Sequence, residues 1–221
     1  MSTKFIEKTA QYVQKRLREE ESGHDWFHTY RVWQMAKYLQ SQEGGDTELI
    51  EIAALLHCAA EHDLKKKSDE QMRFYTMMGI MDVLEIEGEL RDNIVLIAQW
   101  CRFKGRDTEK PLTLEGKIVQ DANFLDVLGA VGIARGFSAG GYLGRVVHDP
   151  AIAPLPRATK EVYQKRRKEG TSINYFYEKP LQILNYISTP TARKIAESRL
   201  AFTKQFLERF FKEWNLEDIK E

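Results

Sequence analysis

Apolar positions recur along this chain at three- and four-residue spacing, and no alternating run typical of a strand interrupts them. Thr3 to Glu20 reads as an amphipathic first helix. Asp25 or His24 opens a second, which stops near Gly44-Gly45. Asp46-Thr47 caps a third, in which Leu49, Ile50, Ile52, Ala53, Ala54, Leu55 and Leu56 run into His57 before the pattern fades in the lysines 65–67. Ser68 and Gln71 match a capping box ahead of a fourth helix carrying Met72, Tyr75, Met78 and Met81. A fifth covers about 89–101, FKGRDTEKP breaks the pattern, and Thr113 caps a sixth. Gly129 to Gly141 reads as another helix or a glycine-broken continuation. Thr171-Ser172 caps a helix through Ile187. Thr189-Pro190 then opens the last helix, with proline at the first helical position, and it reaches about Trp214. The fold class expected is all-α.

Gly140, Gly141, Gly144, Pro150, Pro154 and Pro156 crowd one stretch, so residues 140–170 are expected to form a long loop, either a functional lid or a surface insertion. The organisation expected is one domain over residues 1–221: a core of about 20–140, the loop, and a C-terminal helical elaboration over 171–215. Phe202, Phe206, Leu207, Phe210 and Phe211 form a stripe at helical spacing that reads as core packing.

Three polar groups interrupt the apolar stripes. His28 leads Val32, Met35, Ala36 and Leu39. His57 ends the third helix. Asp121 sits in Leu114, Ile118, Asp121, Leu125, Leu128, at spacings of four, three, four and three. An unpaired polar group on such a face costs roughly 2–7 kcal/mol. Either each is satisfied separately in the core, or one divalent ion gathers all three, since two imidazoles and a carboxylate suit such an ion.

Charge narrows the partners. Lys plus Arg, 33, equals Asp plus Glu, 33, so no global field draws the chain to nucleic acid or an anionic membrane, although a local basic pocket is allowed. The two cysteines, Cys58 and Cys101, form no disulfide framework. The N-terminal segment lacks the apolar core of a signal peptide, and no apolar run approaches the ~20 residues that span a bilayer. A cytoplasmic protein is expected, with its oligomeric state open.

Three strings, HDWFHTYRV, AALLHCAAEHD and IVQDANFLDVLGAVGIARGF, resemble the HD superfamily of metal-dependent phosphohydrolases. GGYLGRVVHDP and TSINYFYEKPLQIL resemble a bacterial subgroup of that superfamily, some of whose members hydrolyse nucleoside triphosphates between the α and β phosphates. The likeness runs over roughly residues 3 to 215. It implies an HD-type helical bundle and a divalent ion (Mn, Mg, Zn, Fe or Ni) held by His28, His57 and Asp121. A small-molecule nucleotide is the substrate it implies.

The resemblance also exposes a departure. Where the family has the aspartate of its His-Asp pair, this chain has Cys58, which is either a softer metal ligand or a small buried hydrophobe. Tyr142 and Tyr175 stand where the subgroup carries histidine. Glu61 lies about 40° round the helix from His57 and is either a general base or substitute ligand, or a solvated carboxylate beside Lys65. Lys104, Arg145 and Lys179 are candidate phosphate contacts near helix boundaries. Arg31, three residues beyond His28, is expected to pair with a carboxylate near the metal or to touch phosphate. His24 stands at a pocket mouth or caps its helix. His62 and Asp63 leave the inner face, and His148 is assigned nothing. Two functions follow: a metal-dependent phosphohydrolase acting on a nucleoside di- or triphosphate, or an HD fold that binds nucleotide with hydrolysis impaired by Cys58.

Overall fold

A computed structural model describes residues 3–20, 23–60 and 70–219. Its elements are α1 Thr3–Arg16, α2 Trp26–Glu43, α3 Thr47–Leu56, α4 Glu70–Leu84, α5 Gly88–Trp100, α6 Leu114–Leu125, α7 Gly129–Tyr142, α8 Lys160–Glu169, α9 Ser172–Glu178 and α10 Pro190–Trp214, with a 3-10 helix at Pro180–Asn185. No strand occurs among the described residues, in keeping with the all-α class. The caps Asp46, Thr113, Thr171 and Thr189 each accept from a backbone N–H in the first turn, and Asp25, not His24, caps α2 by accepting from His28 N. The capping box at Ser68 and the residues Glu61, His62 and Asp63 lie outside the described residues.

The centre of the molecule is α3, which is apolar on every side and therefore lies in the core. Its residues Ile50, Ile52, Ala53, Ala54, Leu55 and Leu56 are buried, and α1, α2, α5 and α6 pack around it. Its one acid in the middle, Glu51, is satisfied by Trp33 Nε1 at 2.7 Å. Long α10 lies across α6, α7 and α2. There Phe206, Phe210 and Phe211 join Ile133, Ile173, Phe176 and Leu207 in a second apolar cluster. Phe202 departs from that expectation and is exposed.

The stretch read as a loop over 140–170 is shorter than expected. Helix α7 continues to Tyr142, and Thr159 caps α8, whose sequence KEVYQKRRKE gave no apolar stripe to announce it. What anchors α8 is tertiary. Tyr163 is buried edge-on against Phe103 at 5.1 Å between centroids, and Lys160 N donates to Asp107. Gly105, at φ 64°, lets the backbone come close enough for Arg106 N to donate to Ala158 O at 2.9 Å; a Cβ there would fall 2.2 Å from that oxygen. The segment that broke the helical pattern is thus the dock for α8. The last predicted helix boundary also moves, since the run to Ile187 divides into α9 and the 3-10 helix.

Candidate metal centre

His28 lies one turn into α2, His57 caps the C-terminus of α3, and Cys58 follows it; all three are buried. One ligand atom from each lies within 4.8 Å of the other two. The two imidazoles meet through Nε2, 3.2 Å apart. Their partners dictate the tautomers. His57 Nδ1 donates to Ala54 O at 2.7 Å, using a carbonyl that the helix end leaves unpaired. His28 Nδ1 donates to the Asp126 carboxylate at 2.8 Å. Each Nε2 therefore turns a lone pair towards the other, an arrangement that calls for a cation between them. A proton is disfavoured on His28, whose pKa is held well below the ordinary value by burial and then by Arg135, His57, His24 and Arg31. A metal ion suits the gap, because nitrogens ~2.0–2.1 Å from one ion at a near-tetrahedral angle stand ~3.2–3.4 Å apart. Cys58 Sγ stands 3.3 Å from Thr29 Oγ1.

Asp121 is not among them. Its carboxylate accepts from Ser188 N (3.0 Å), Thr189 N (2.7 Å) and Thr189 Oγ1 (2.8 Å), at the start of α10. The reason is geometric. A helical stripe shows that a residue faces inward, but α6 has two inward neighbours, and Asp121 faces α10 while Asn123, about 200° further round, faces the cavity beside the histidines. Asn123 Nδ2 donates to Cys101 O at 2.8 Å, which leaves its amide oxygen as the remaining acceptor. The acid that does serve the histidines is Asp126, at the end of α6. It holds His28, Arg31 (2.8 Å) and Arg135 (3.0 Å) from behind. Of its two readings Arg31 takes the first, pairing with that carboxylate, and it does not line the cavity as a phosphate contact would. Burial pushes the Asp121 carboxyl up to about 6, against the opposing bonds from Thr189 and Ser188.

The cavity that opens from the centre has a volume of about 150 Å³. It brings together His24, Lys104, Arg145 and Lys179 from the sequence reading, with Arg73, Arg102, Arg135, Lys160 and Arg167 added. Eight lining side chains are Arg or Lys and two, Glu70 and Glu178, are acidic, so an anion of several charges is the complement. His24 stands edge-on to His28 at 5.6 Å between centroids. Arg145 is half-buried and bound through Nε and Nη2 to Arg167 O, and burial lowers its pKa from the usual guanidinium value. Lys179 lies over the Phe103 ring, and the Tyr175 hydroxyl, its pKa raised by burial, lines the wall; Tyr142 does not. Glu61 lies outside the described residues.

Asn123, Asp126 and Arg135 escaped the sequence reading. The signal for Arg135 was present as one cation in the otherwise apolar and small helix GAVGIARGF. Asp126 and Asn123 sit off the stripe that singled out Asp121, and periodicity could not find them.

A model of the HD domain matches residues 26–128. The uncharacterized protein YpgQ of Bacillus subtilis is 31% identical over 95% of this chain and 94% of its own length. A Lactobacillus plantarum protein of known structure superposes with a TM-score of 0.87 at 30% identity, covering 98% of this chain and 99% of that one. An HD-superfamily hydrolase of Bacillus thuringiensis does so at 0.66 and 39% identity, over 95% and 96%. YpgQ crystallised in complex with ADP gives 0.68 at 28% identity, over 94% and 97%. The chain belongs to the HD-domain family of hydrolases. HD domains are generally metal-dependent, and in this chain His28, His57 and Cys58 sit close together.

Proposed function

We propose that the protein binds a nucleoside di- or triphosphate in the cationic cavity and hydrolyses it with a divalent ion held by His28, His57 and Cys58. The observation that carries the reading is the convergence of two imidazole lone pairs, backed by Asp126, at the floor of a cavity lined by eight cations. The ADP bound by YpgQ supports a nucleotide as the ligand. When bound, the ion polarises a phosphoryl oxygen and lowers the pKa of water. The chain's own residues do the rest. Lys104, Arg102 and Arg135 neutralise phosphate charge, and Asp126 fixes the His28 tautomer through Nδ1. Tyr163 and Arg167 of α8 line the same cavity. His24, at the cavity wall beside His28, serves in this reading as a proton donor or phosphate contact.

A second reading, nucleotide binding with little hydrolysis, is favoured by two positions: Cys58, and Asn123, which offers the cavity a neutral amide. One experiment separates them. Purified protein is loaded with each divalent ion in turn, and nucleotide binding is followed by calorimetry while phosphate and pyrophosphate release is followed by phosphorus NMR. Binding with turnover supports the enzyme, and binding without turnover supports the second reading. Failure of ADP and ATP to bind at millimolar concentration rejects both.

A further inference from the structure

The atoms that face the centre decide which ion it takes. We infer that this chain's centre is a nitrogen–sulfur site for zinc, with Cys58 bound as thiolate, and not an oxygen-rich site for manganese or magnesium; the inference rests on the metal-centre reading above.

The donor inventory carries the argument. Among the described residues, two imidazole nitrogens and one sulfur come within 4.8 Å of each other, and no carboxylate joins them. The nearby acids among the described residues are spent elsewhere. Asp121 caps α10, and Asp126 is bound to His28, Arg31 and Arg135. Of the two acids lining the cavity, Glu70 is bound to Lys160 at 2.6 Å and Glu178 to Leu155 N at 3.1 Å. Asn123 contributes at most a neutral amide oxygen.

Magnesium and manganese favour carboxylate and water oxygens in octahedral sets, whereas imidazole and thiolate favour zinc in a tetrahedral one. The 3.2 Å between the Nε2 atoms leaves room for one ion bound by both, so the choice of ion falls to the donor chemistry. Rigidity adds selectivity. His57 is pinned by Ala54 O, His28 by Asp126 and Cys58 by Thr29, so the three donors that would hold the ion are oriented in advance. The charge is consistent too. One thiolate offsets part of an ion's charge in a wall already rich in cations. On binding, the S–H bond is exchanged for an S–metal bond and the proton leaves to buffer.

The test uses the full chain, stripped with chelator and reloaded. Cobalt(II) is expected to give an intense near-ultraviolet sulfur-to-metal charge-transfer band, and equimolar zinc, but not manganese or magnesium, to displace it. Cys58→Ser should abolish the band and weaken zinc by more than the ~10–100-fold that losing a ligand's outer partner costs. Cys58→Asp should remove the band and reverse the preference towards manganese. Circular dichroism verifies that each variant is folded. Cobalt bound without the band, or manganese competing equally with zinc, overturns the sulfur site while leaving the metal centre standing. Wild-type protein that binds none of these ions overturns the metal-centre reading itself, and the zinc site with it.

Discussion

Replacing Asp121 with alanine distinguishes a helix cap from a metal ligand. The carboxylate is fully buried and accepts three bonds, from Ser188 N, Thr189 N and Thr189 Oγ1. Alanine leaves those donors without their acceptor, at roughly 1–2 kcal/mol each and so ~3–6 kcal/mol in all. Against this stands the charge. Burial raises the folded pKa to about 6 from 3.8, so protonation favours the fold: that contribution is complete below about pH 4 and is lost as pH rises through about 6. Roughly two units at ~1.4 kcal/mol each make the ionised group cost ~3 kcal/mol at pH 7. Alanine removes that cost, leaving a net loss of ~0–3 kcal/mol at pH 7, or up to several degrees in Tm.

At pH 5 the native carboxyl is mostly protonated and less relief is available, so the loss grows by ~1 kcal/mol. Asp121→Asn keeps one acceptor without the charge, so it should cost less than alanine at both pH values while showing the same increment, which comes from titration of the native carboxyl. Urea unfolding at pH 5 and pH 7, followed by circular dichroism, reads the stability, and elemental analysis reads the metal. Metal content should be unchanged in both variants. Metal lost with stability intact would refute the cap assignment and restore Asp121 as a ligand.

Asp126→Ala strands Arg31 and Arg135 and frees His28 Nδ1; it should cost ~3–5 kcal/mol in chemical unfolding and, where folded, weaken metal binding ~10–100-fold. Lys104→Ala should weaken ADP binding about tenfold in calorimetry, with an effect that shrinks as salt rises and with Tm nearly unchanged. Gly132→Ala places a Cβ 2.2 Å from the backbone carbon of Val127; because backbone cannot yield as a side chain does, thermal melting should report at least ~1–3 kcal/mol of destabilisation. His57→Ala should leave a folded helical protein whose metal content by elemental analysis falls to background, since it deletes one of the two facing lone pairs.

Local rules were enough for most of the helices, α8 excepted. The caps Asp46, Thr113, Thr171 and Thr189, the stop at Gly44 and the apolar run of α3 are all short-range instructions, satisfied within a turn or two of the residues that carry them. For the same reason the inward-facing histidines His28 and His57 and the neighbouring Cys58 were legible. A polar group on an apolar stripe must find a partner wherever the helix ends up.

Which partner it finds is a long-range matter. Asp121 went to the start of α10, Arg31 to Asp126, and Asn123 to the cavity, because only the packing of α6 between α2 and α10 decides which neighbour each face meets. Helix α8 needed Tyr163 against Phe103 to hold a segment whose own sequence is almost wholly polar. The cationic wall is likewise gathered from α4, the turn after α5, and α7 to α9, so a chain of zero net charge still builds a strongly positive pocket. Periodicity tells each side chain whether to face inward; the contact it then makes across the bundle comes from tertiary packing, since two faces of one helix can be equally buried against different neighbours.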